Sequence, residues 1–211
     1  MPRRASLLGS LCAACFLCTL LLPCALALDV ARAMLLVARP ELADPNFRET
    51  VVLVAQADNT DTIGLILNRP LNRSLAEVLP GERFRRFTEP LYFGGPVSSN
   101  GLFALFQGDR GSIPTITMIA GVQLALHPDA IDSLLRKPPE TIRFFSGYSG
   151  WAPGQLTGEI ERGDWFVLDA DAATAFRKDP SRLWPDLVRR ARAVRADAGR
   201  TTGTPMPGET L

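Results

Sequence analysis

From residue 34 onward, the chain consists of short apolar runs separated by Pro, Gly and polar residues, a pattern typical of strands. Two of these runs, 50–55 and 63–67, flank a polar turn that contains Asp58-Asn59, and this arrangement predicts a β-hairpin. A longer apolar stretch covers 113–126. Further strands are predicted at 34–38, 91–93, 102–106, 141–145 and 165–168.

Helix signals are fewer, and each rests on a residue type that satisfies or terminates a helix end. Helices are predicted at 75–79 after a Ser74 cap, from a cap at Asp129 to Leu135, from Pro153 to Gly163, and from Ala170 to Arg190. The strands come mostly in runs and do not alternate regularly with helices. The pattern therefore predicts an α+β fold and disfavours a doubly wound parallel sheet.

The overall composition is that of an ordinary globular protein, with 46% hydrophobic and 21% charged residues in a chain of 211. This length suits one domain with short appendages. There are 23 Lys and Arg against 22 Asp and Glu, which gives a formal net charge of +1. Bulk charge therefore does not point to nucleic acid, a membrane surface or a polyanionic substrate.

The first residues have the pattern of a secretory signal. Arg3 and Arg4 precede an uncharged apolar run from Ala5 to Leu28, and Ala25-Leu26-Ala27 suits signal peptidase. We therefore expect a signal peptide over 1–27 and a periplasmic or secreted protein. An uncleaved anchor is the alternative, because the run is long enough to span a bilayer. Translation from Met34 would instead leave the protein in the cytoplasm.

Cleavage of the predicted signal peptide would also remove every cysteine from the mature chain. All four cysteines lie within 1–27, so disulfides, thiolate metal sites and a Cys nucleophile are not expected after it. The small polar residues of 201–211 predict a disordered tail. A single domain over 28–200, with no membrane span, is therefore expected.

Residues suited to catalysis are scarce, and we assign no catalytic residue, metal or cofactor. His127 is the only histidine, and neither GxxxxGK[ST] nor GxGxxG occurs. Ser149 follows a strand and precedes a helix, as in a nucleophile elbow, but the preceding Gly is one residue too early. Hydrolysis by Ser149 with His127, oriented by Asp129 or Asp132, is an alternative. Four scattered carboxylates are interpreted as solvated charges: Asp44, Glu49, Glu159 and Glu161.

Two Gly-rich segments, 94–101 and 146–155, are predicted to be loops at neighbouring strand ends. Glycine permits close approach of a ligand, and the amides at a helix start can hold an anion. We expect the loops to border one groove for a small anionic ligand or a protein partner. The alternative is that the glycines serve only tight turns and that Trp151 fills the core. The predicted lining is Asn68, Arg69, Gly94, Gly95, Pro96, Tyr148, Ser149, Gly150, Trp151 and Gln155.

A basic segment near the end of the chain is the one feature that favours nucleic acid. It contains Arg182, Arg189, Arg190, Arg192, Arg195 and Arg200, partly offset by Asp186 and Asp197. The spacing of Arg189, Arg192 and Arg195 would place them on one helix face. We expect a solvated face, because a near-neutral exported domain meets no nucleic acid.

Four motifs in order resemble the YqgE/AlgH family. They are 36–47 (LVARPELADPNF), 64–71 (GLILNRPL), 94–97 (GGPV) and 147–160 (GYSGWAPGQLTGEI). The resemblance covers 34 to about 190, including the segment around Trp184. It implies a mixed, mostly antiparallel sheet in a partly open, barrel-like core with flanking helices. It carries over no catalytic residues.

The resemblance also implies one candidate function, because one branch of the family is named as a regulator of alginate synthesis. Transcriptional regulation is therefore an alternative function. The signal before Met34 departs from the family pattern and weakens that alternative. The chain also departs from the family's usual longer ending after the Trp184 helix. The preferred interpretation is an uncharacterised family member that binds a ligand or partner in the predicted groove.

Overall fold

The computed structural model describes residues 33–56, 62–109 and 111–201, with side chains described as far as residue 196. The predicted signal peptide (1–27) and residues 202–211 of the predicted tail lie outside the described residues. The strands are β1 (Met34–Ala38), β2 (Val51–Gln56), β3 (Thr62–Ile66), β4 (Pro70–Ser74), β5 (Pro90–Phe93), β6 (Val97–Gln107), β7 (Ile116–Ile119), β8 (Val122–Ala125), β9 (Ile142–Trp151) and β10 (Trp165–Asp169).

Five α-helices flank this sheet in the described residues. They are α1 (Leu75–Val78), α2 (Pro128–Arg136), α3 (Gln155–Arg162), α4 (Ala172–Ala175) and α5 (Leu183–Thr201), with a short 3-10 turn at Glu82–Phe84. Helix α1 follows Ser74, whose amide donates to the Glu77 carboxylate at 2.6 Å. This is half of a capping box and explains why the helix begins there. Gly163 ends α3 in the left-handed conformation, as predicted.

The sheet curls into a half-barrel with the strand order β10-β1-β2-β3-β9-β6-β8-β7. Its neighbours along this path pair antiparallel. The exception lies off the path, where β5 pairs with β4 on one side and runs parallel to β9 on the other. The α+β prediction and the mixed, mostly antiparallel sheet are therefore confirmed.

Strands β1 and β2 are apolar at successive positions because both of their faces are buried. Leu35 and Leu53 belong to one core cluster, whereas Leu36 and Val52 belong to another on the opposite face. Helix α5 covers the first face, and α3 covers the second through Leu156. The indole of Trp184 in α5 donates to the carbonyl of Ala38 at 2.7 Å and fixes that helix across the sheet.

Several predicted boundaries are wrong. Helix α2 is capped by His127 and not by Asp129, because the imidazole Nδ1 accepts from the Asp129 amide at 3.3 Å. Helix α3 begins at Gln155, two residues after Pro153. The helical region after Ala170 is interrupted between α4 and α5. These errors concern local hydrogen bonds at element ends, which apolar periodicity does not report.

Candidate functional site

The turn at Gly94–Pro96 lies directly against strand β9. A Cβ atom on Gly94 would lie 2.3 Å from the carbonyl oxygen of Gly147, and one on Gly95 would lie 2.3 Å from the carbonyl carbon of Tyr148. Both distances are far inside van der Waals contact. The glycines therefore allow the two backbones to touch, and the backbones themselves fill the space between the two segments.

Most of each Gly-rich segment is strand and not loop, so the loop prediction is wrong over Val97–Gly101 and Ser146–Trp151. The first part belongs to β6 and the second to β9. The two strands pair, with a register irregularity between Val97 and Leu102. Glycine signals turns in a sequence, but here Gly147 permits a close approach of the neighbouring backbone, because a Cβ atom on it would lie 2.3 Å from the Gly95 carbonyl oxygen.

Ser149 is fully buried at this contact. Its hydroxyl donates to the Gly94 carbonyl oxygen at 3.1 Å, which joins β9 to the Gly94–Pro96 turn. His127 is at the exposed start of α2 and interacts with Asp129. The structure does not favour hydrolysis by Ser149, because a buried hydroxyl bonded to a backbone carbonyl is neither accessible nor next to a base.

Asn68 and Arg69 hold the loop that precedes β2. The Asn68 side chain accepts from the Val51 amide at 2.9 Å and donates to the Glu49 carbonyl at 2.8 Å. The Arg69 guanidinium donates to the carbonyls of Asn46 at 2.6 Å and Arg48 at 3.0 Å. Burial lowers the pKa of Arg69, and the nearby Arg48 lowers it further. The Asn68 amide and the Arg69 guanidinium, which the sequence suggested for binding an anion, therefore bond to backbone groups of this loop.

Trp151 lies in the core, with 2% of its surface exposed. Its ring stacks on Phe47 with centroids 5.8 Å apart, and Trp165 meets the same phenyl ring edge-on at 5.7 Å. Both indole N–H groups donate to one carboxylate oxygen of Glu159, at 2.9 Å from Trp151 and 3.0 Å from Trp165. The other oxygen accepts from Gln155 at 3.0 Å.

Glu159 is therefore a structural acceptor, and its interpretation as a solvated charge is wrong. The sequence contained a usable signal, because Gln155 and Glu159 are one helical turn apart on the helix after Trp151. Gln155 also accepts from the Ala152 amide at 3.2 Å, so it links the end of β9 to α3. Trp165 was not among the predicted site residues.

A cleft with a volume of about 460 Å³ opens beside the end of β9. We name it the β3–β9 cleft, and it is lined by Thr62, Ile63, Val97, Ile116, Tyr148, Gly150, Trp151 and Ala152. Of the predicted lining residues, the structure brings Tyr148, Gly150 and Trp151 to this cleft. Tyr148 is half-buried and Gly150 is exposed. Within the part of the chain that the structure describes, none of the residues that line it is charged.

The remaining predicted residues lie outside that lining. Gly94, Gly95 and Ser149 are buried in the backbone contact, Pro96 is exposed on the turn, and Gln155 is exposed on α3. Asn68 and Arg69 bind the 45–49 loop. In the described part of the chain, His, Cys, Asp and Glu form no group of three that could hold a metal ion. Across residues 33–56, 62–109 and 111–201, no helix is long and apolar enough to cross a membrane.

The basic helix is partly neutralised by Asp186. Its carboxylate lies 2.6 Å from Arg177 and 2.6 Å from Arg189, with Arg182 at 4.0 Å. The hydrogen bond from Arg177 is the main reason that the pKa of Asp186 lies below its ordinary value of 3.8. Arg192 and Arg195 project elsewhere on the helix and line a separate pocket. The side chains of Asp197 and Arg200 lie outside the described residues.

Comparison with known proteins identifies the family through a model described as AlgH-like, which matches residues 35–194. The chain belongs to this AlgH-like family. Relatives of this AlgH-like protein include a UPF0301 protein of Nocardia farcinica, 38% identical over 175 residues that cover 77% of this chain and 78% of the relative. A UPF0301 protein of Myxococcus xanthus is 35% identical over 159 residues, with 74% and 87% covered.

Two solved structures are similar to this AlgH-like fold. The solution structure of the AlgH protein from Pseudomonas aeruginosa is 26% identical with a TM-score of 0.64, covering 86% of this chain and 98% of that one. The crystal structure of a Corynebacterium diphtheriae protein is 25% identical with a TM-score of 0.62, covering 84% and 88%. The predicted family is therefore confirmed. The similarity to these relatives assigns no specific activity to this chain.

Proposed function

We propose that this AlgH-like protein is a binding domain and that its ligand occupies the β3–β9 cleft. The observation that carries the proposal is an open cleft of about 460 Å³ whose edge contains Tyr148, Gly150 and Trp151. That volume lies within the range of small-molecule sites, about 300–1,000 Å³. These three residues lie on strand β9, and strands β3, β6 and β7 supply other lining residues, which favours a preformed site.

The chemistry of the lining favours an uncharged ligand with an aromatic or aliphatic group. Ile63, Val97 and Ile116 supply apolar contact area, and Thr62 and Tyr148 supply hydroxyl groups. Arg69, which the sequence offered for an anion, donates instead to the Asn46 and Arg48 carbonyls. A carboxylate placed in this cleft would lose hydration without gaining a cation. We therefore infer a neutral ligand here in place of the anionic one.

The ring of Tyr148 gives the cleft a defined wall. It packs edge-on against Phe103 with centroids 5.4 Å apart, and this contact restricts its rotation. Gly150 leaves the adjacent surface open, since a Cβ there would make only ordinary contacts of 3.5 Å with Tyr148 and 3.6 Å with Val97. A ligand group can thus lie over Gly150 and against Tyr148 without displacing the sheet.

The proposal is tested by NMR titration of the ¹⁵N-labelled protein with indole, an uncharged aromatic probe, and with benzoate, an anion of similar size. We expect indole to shift the amides of Gly150 and Ala152 saturably, and benzoate to do so more weakly. Gly150→Val should reduce the indole shifts at Ala152, because its side chain would occupy the cleft. Gly158→Ala on α3 is the matched control and should leave the shifts unchanged. Stronger binding of benzoate at the same amides would contradict the neutral-ligand proposal, and shifts of neither probe would contradict the site.

The alternatives are less well supported by the residues. Hydrolysis would require Ser149, whose hydroxyl is buried against the Gly94 carbonyl. Transcriptional regulation would require a nucleic-acid surface, and the basic helix that could provide one has Asp186 paired with Arg177 and Arg189. Neither has a specific observation in its favour. We further propose that the binding domain acts outside the cytoplasm, which the signal-like 1–27 segment supports.

A further inference from the structure

A second pocket, separate from the β3–β9 cleft, lies between the end of β1, strand β10 and helix α5. It has a volume of about 380 Å³, and we name it the arginine pocket. Its lining residues are Arg39, Glu41, Phe166, Arg192, Arg195 and Ala196. Among the described residues, three guanidinium groups and one carboxylate line it, an excess of two positive charges in a chain whose net charge is +1.

Arg39 is held in a fixed position at this pocket. Its guanidinium carbon lies 4.4 Å from the centre of the Phe166 ring, a cation–π distance, and its backbone amide donates to the Asp164 carbonyl at 3.0 Å. The guanidinium therefore packs over the Phe166 ring. Its edge, which carries the N–H groups, remains for another acceptor.

The Arg39 Nε–H has no acceptor among the described residues, although the atom is buried. Buried donors without partners are rare in folded proteins, because each one loses its hydration without compensation. Arg39, Arg192 and Arg195 also form no ion pair within 4.0 Å with any described carboxylate. By contrast, Arg177 and Arg189 of the same region share Asp186.

We propose that the arginine pocket binds a phosphate group, either as free phosphate or as a phosphomonoester. Guanidinium groups match the geometry of phosphate oxygens, and charge-assisted hydrogen bonds to phosphate are among the strong ones. A phosphate ester carries about −1.5 to −2 charges at neutral pH, which balances the local excess. A carboxylate would neutralise only half of it. Arg39 forms the fixed base of the site, and the exposed Arg192 and Arg195 close over the ligand from α5.

Glu41 is expected to weaken phosphate binding at the arginine pocket. It is exposed, and it is the acidic residue among the described residues that line the pocket. Its repulsion of the ligand limits affinity, so its removal should strengthen phosphate binding. A merely solvated basic surface would show no such dependence on one neighbouring carboxylate.

The test is calorimetric titration of the full chain at constant ionic strength with inorganic phosphate and with glycerol 3-phosphate. We expect saturable binding of one phosphate per chain. Arg192→Gln and Arg195→Gln should each weaken it about fivefold, the effect of one partly screened charge. Glu41→Gln should strengthen it by a similar factor. Arg190→Gln, an exposed arginine of the same helix outside the pocket, is the matched control and should change affinity less than about twofold.

The two ligands identify the source of the phosphate group. Equal affinities assign the site to phosphate itself, and tighter binding of the ester assigns it to a phosphomonoester. The test uses variants of Arg192 and Arg195 because both residues are exposed on α5. A substitution of Arg39 would also disturb its packing on Phe166. Absence of saturable binding, or equal weakening by Arg190→Gln, would overturn the proposal. So would gel retardation of a single-stranded oligonucleotide at about 50 mM salt that depends equally on Arg190 and Arg192.

Discussion

The hydroxyl of Ser149 donates to the backbone carbonyl of Gly94 at 3.1 Å, across 55 residues of chain. The Gly94 carbonyl also accepts from the Ile66 amide at 3.0 Å. One carbonyl thus joins β3, the turn after β5 and β9 at the centre of the half-barrel. The residue that most resembled a nucleophile in the sequence is a structural link in the fold.

Ser149→Ala should therefore lower the free energy of unfolding by about 0.5–1.5 kcal/mol, because one hydrogen bond is lost while Gly94 keeps its second donor. Urea denaturation measures this change. Ser133→Ala in α2 is the control and should be nearly neutral, because its hydroxyl donates to the Asp129 carbonyl at an exposed position and alanine is the better helix former. An unchanged stability in Ser149→Ala would show that the bond contributes nothing.

Gly95→Ala should be more costly than Gly121→Ala, although both glycines have positive φ, +150° and +75°. A Cβ on Gly121 meets nothing within 4 Å, so only its backbone strain, about 1–2 kcal/mol, is expected. On Gly95 the added carbon would overlap the Tyr148 backbone, and a loss of about 3 kcal/mol or more is expected. Thermal unfolding of the two variants compares them directly. Equal losses would mean that the two backbones separate easily.

Trp151→Ala should cost about 3–5 kcal/mol of stability, since the indole is buried against Phe47. The hydrogen bond to Glu159 can be isolated with a double-mutant cycle of Trp151→Phe and Glu159→Ala, because alanine leaves no side-chain acceptor. We expect a coupling energy of about 1.5–3 kcal/mol, as for bonds to charged acceptors. The same cycle with Trp165→Phe should give a similar value because the geometry is the same. A coupling near zero would contradict the shared carboxylate.

Stability should fall in acid partly through Asp186. Its pKa is depressed in the folded state, mainly by the Arg177 hydrogen bond, so its contribution is present above the ordinary value of 3.8 and is lost as the pH falls through the lower folded value. Asp186→Asn should remove this part of the acid dependence of unfolding, measured from pH 7 downward. Arg177→Gln should reduce it in the same direction, because it removes the main cause. A steeper acid dependence in either variant would contradict this assignment.

The N-terminus of the mature protein is a separate prediction, drawn from Ala25-Leu26-Ala27. We expect the chain isolated from its native host to begin at Leu28, because signal peptidase cleaves after small residues in this arrangement. Intact-mass measurement tests this. A species that retains 1–27 would contradict cleavage. One that begins at Met34 would place the protein in the cytoplasm.

Local hydrophobic pattern was sufficient for much of the fold. Strands β1, β2 and β3 were predicted within about two residues, because a strand buried on both faces leaves an unbroken apolar run in the sequence. Strand β10 was predicted as closely, although Val167 on it is exposed. The Ser74 cap and the Gly163 terminus were predicted as well, since each depends on its own residue type. The family motifs supplied the partly open barrel.

The chemistry of the candidate sites depended on residues that are distant in the chain. Ser149 and Gly95 suggested a loop and a nucleophile, but the sheet places them in a backbone contact where glycine admits a neighbouring strand. Arg39 and Arg192 become neighbours only because α5 packs back over β1 and β10. Spacing along the chain reports contacts within an element, whereas burial, partner choice and local charge depend on which elements the folded sheet brings together. The sequence by itself therefore determined the elements, and the tertiary structure decided which side chains became structural links and which remained open to a ligand.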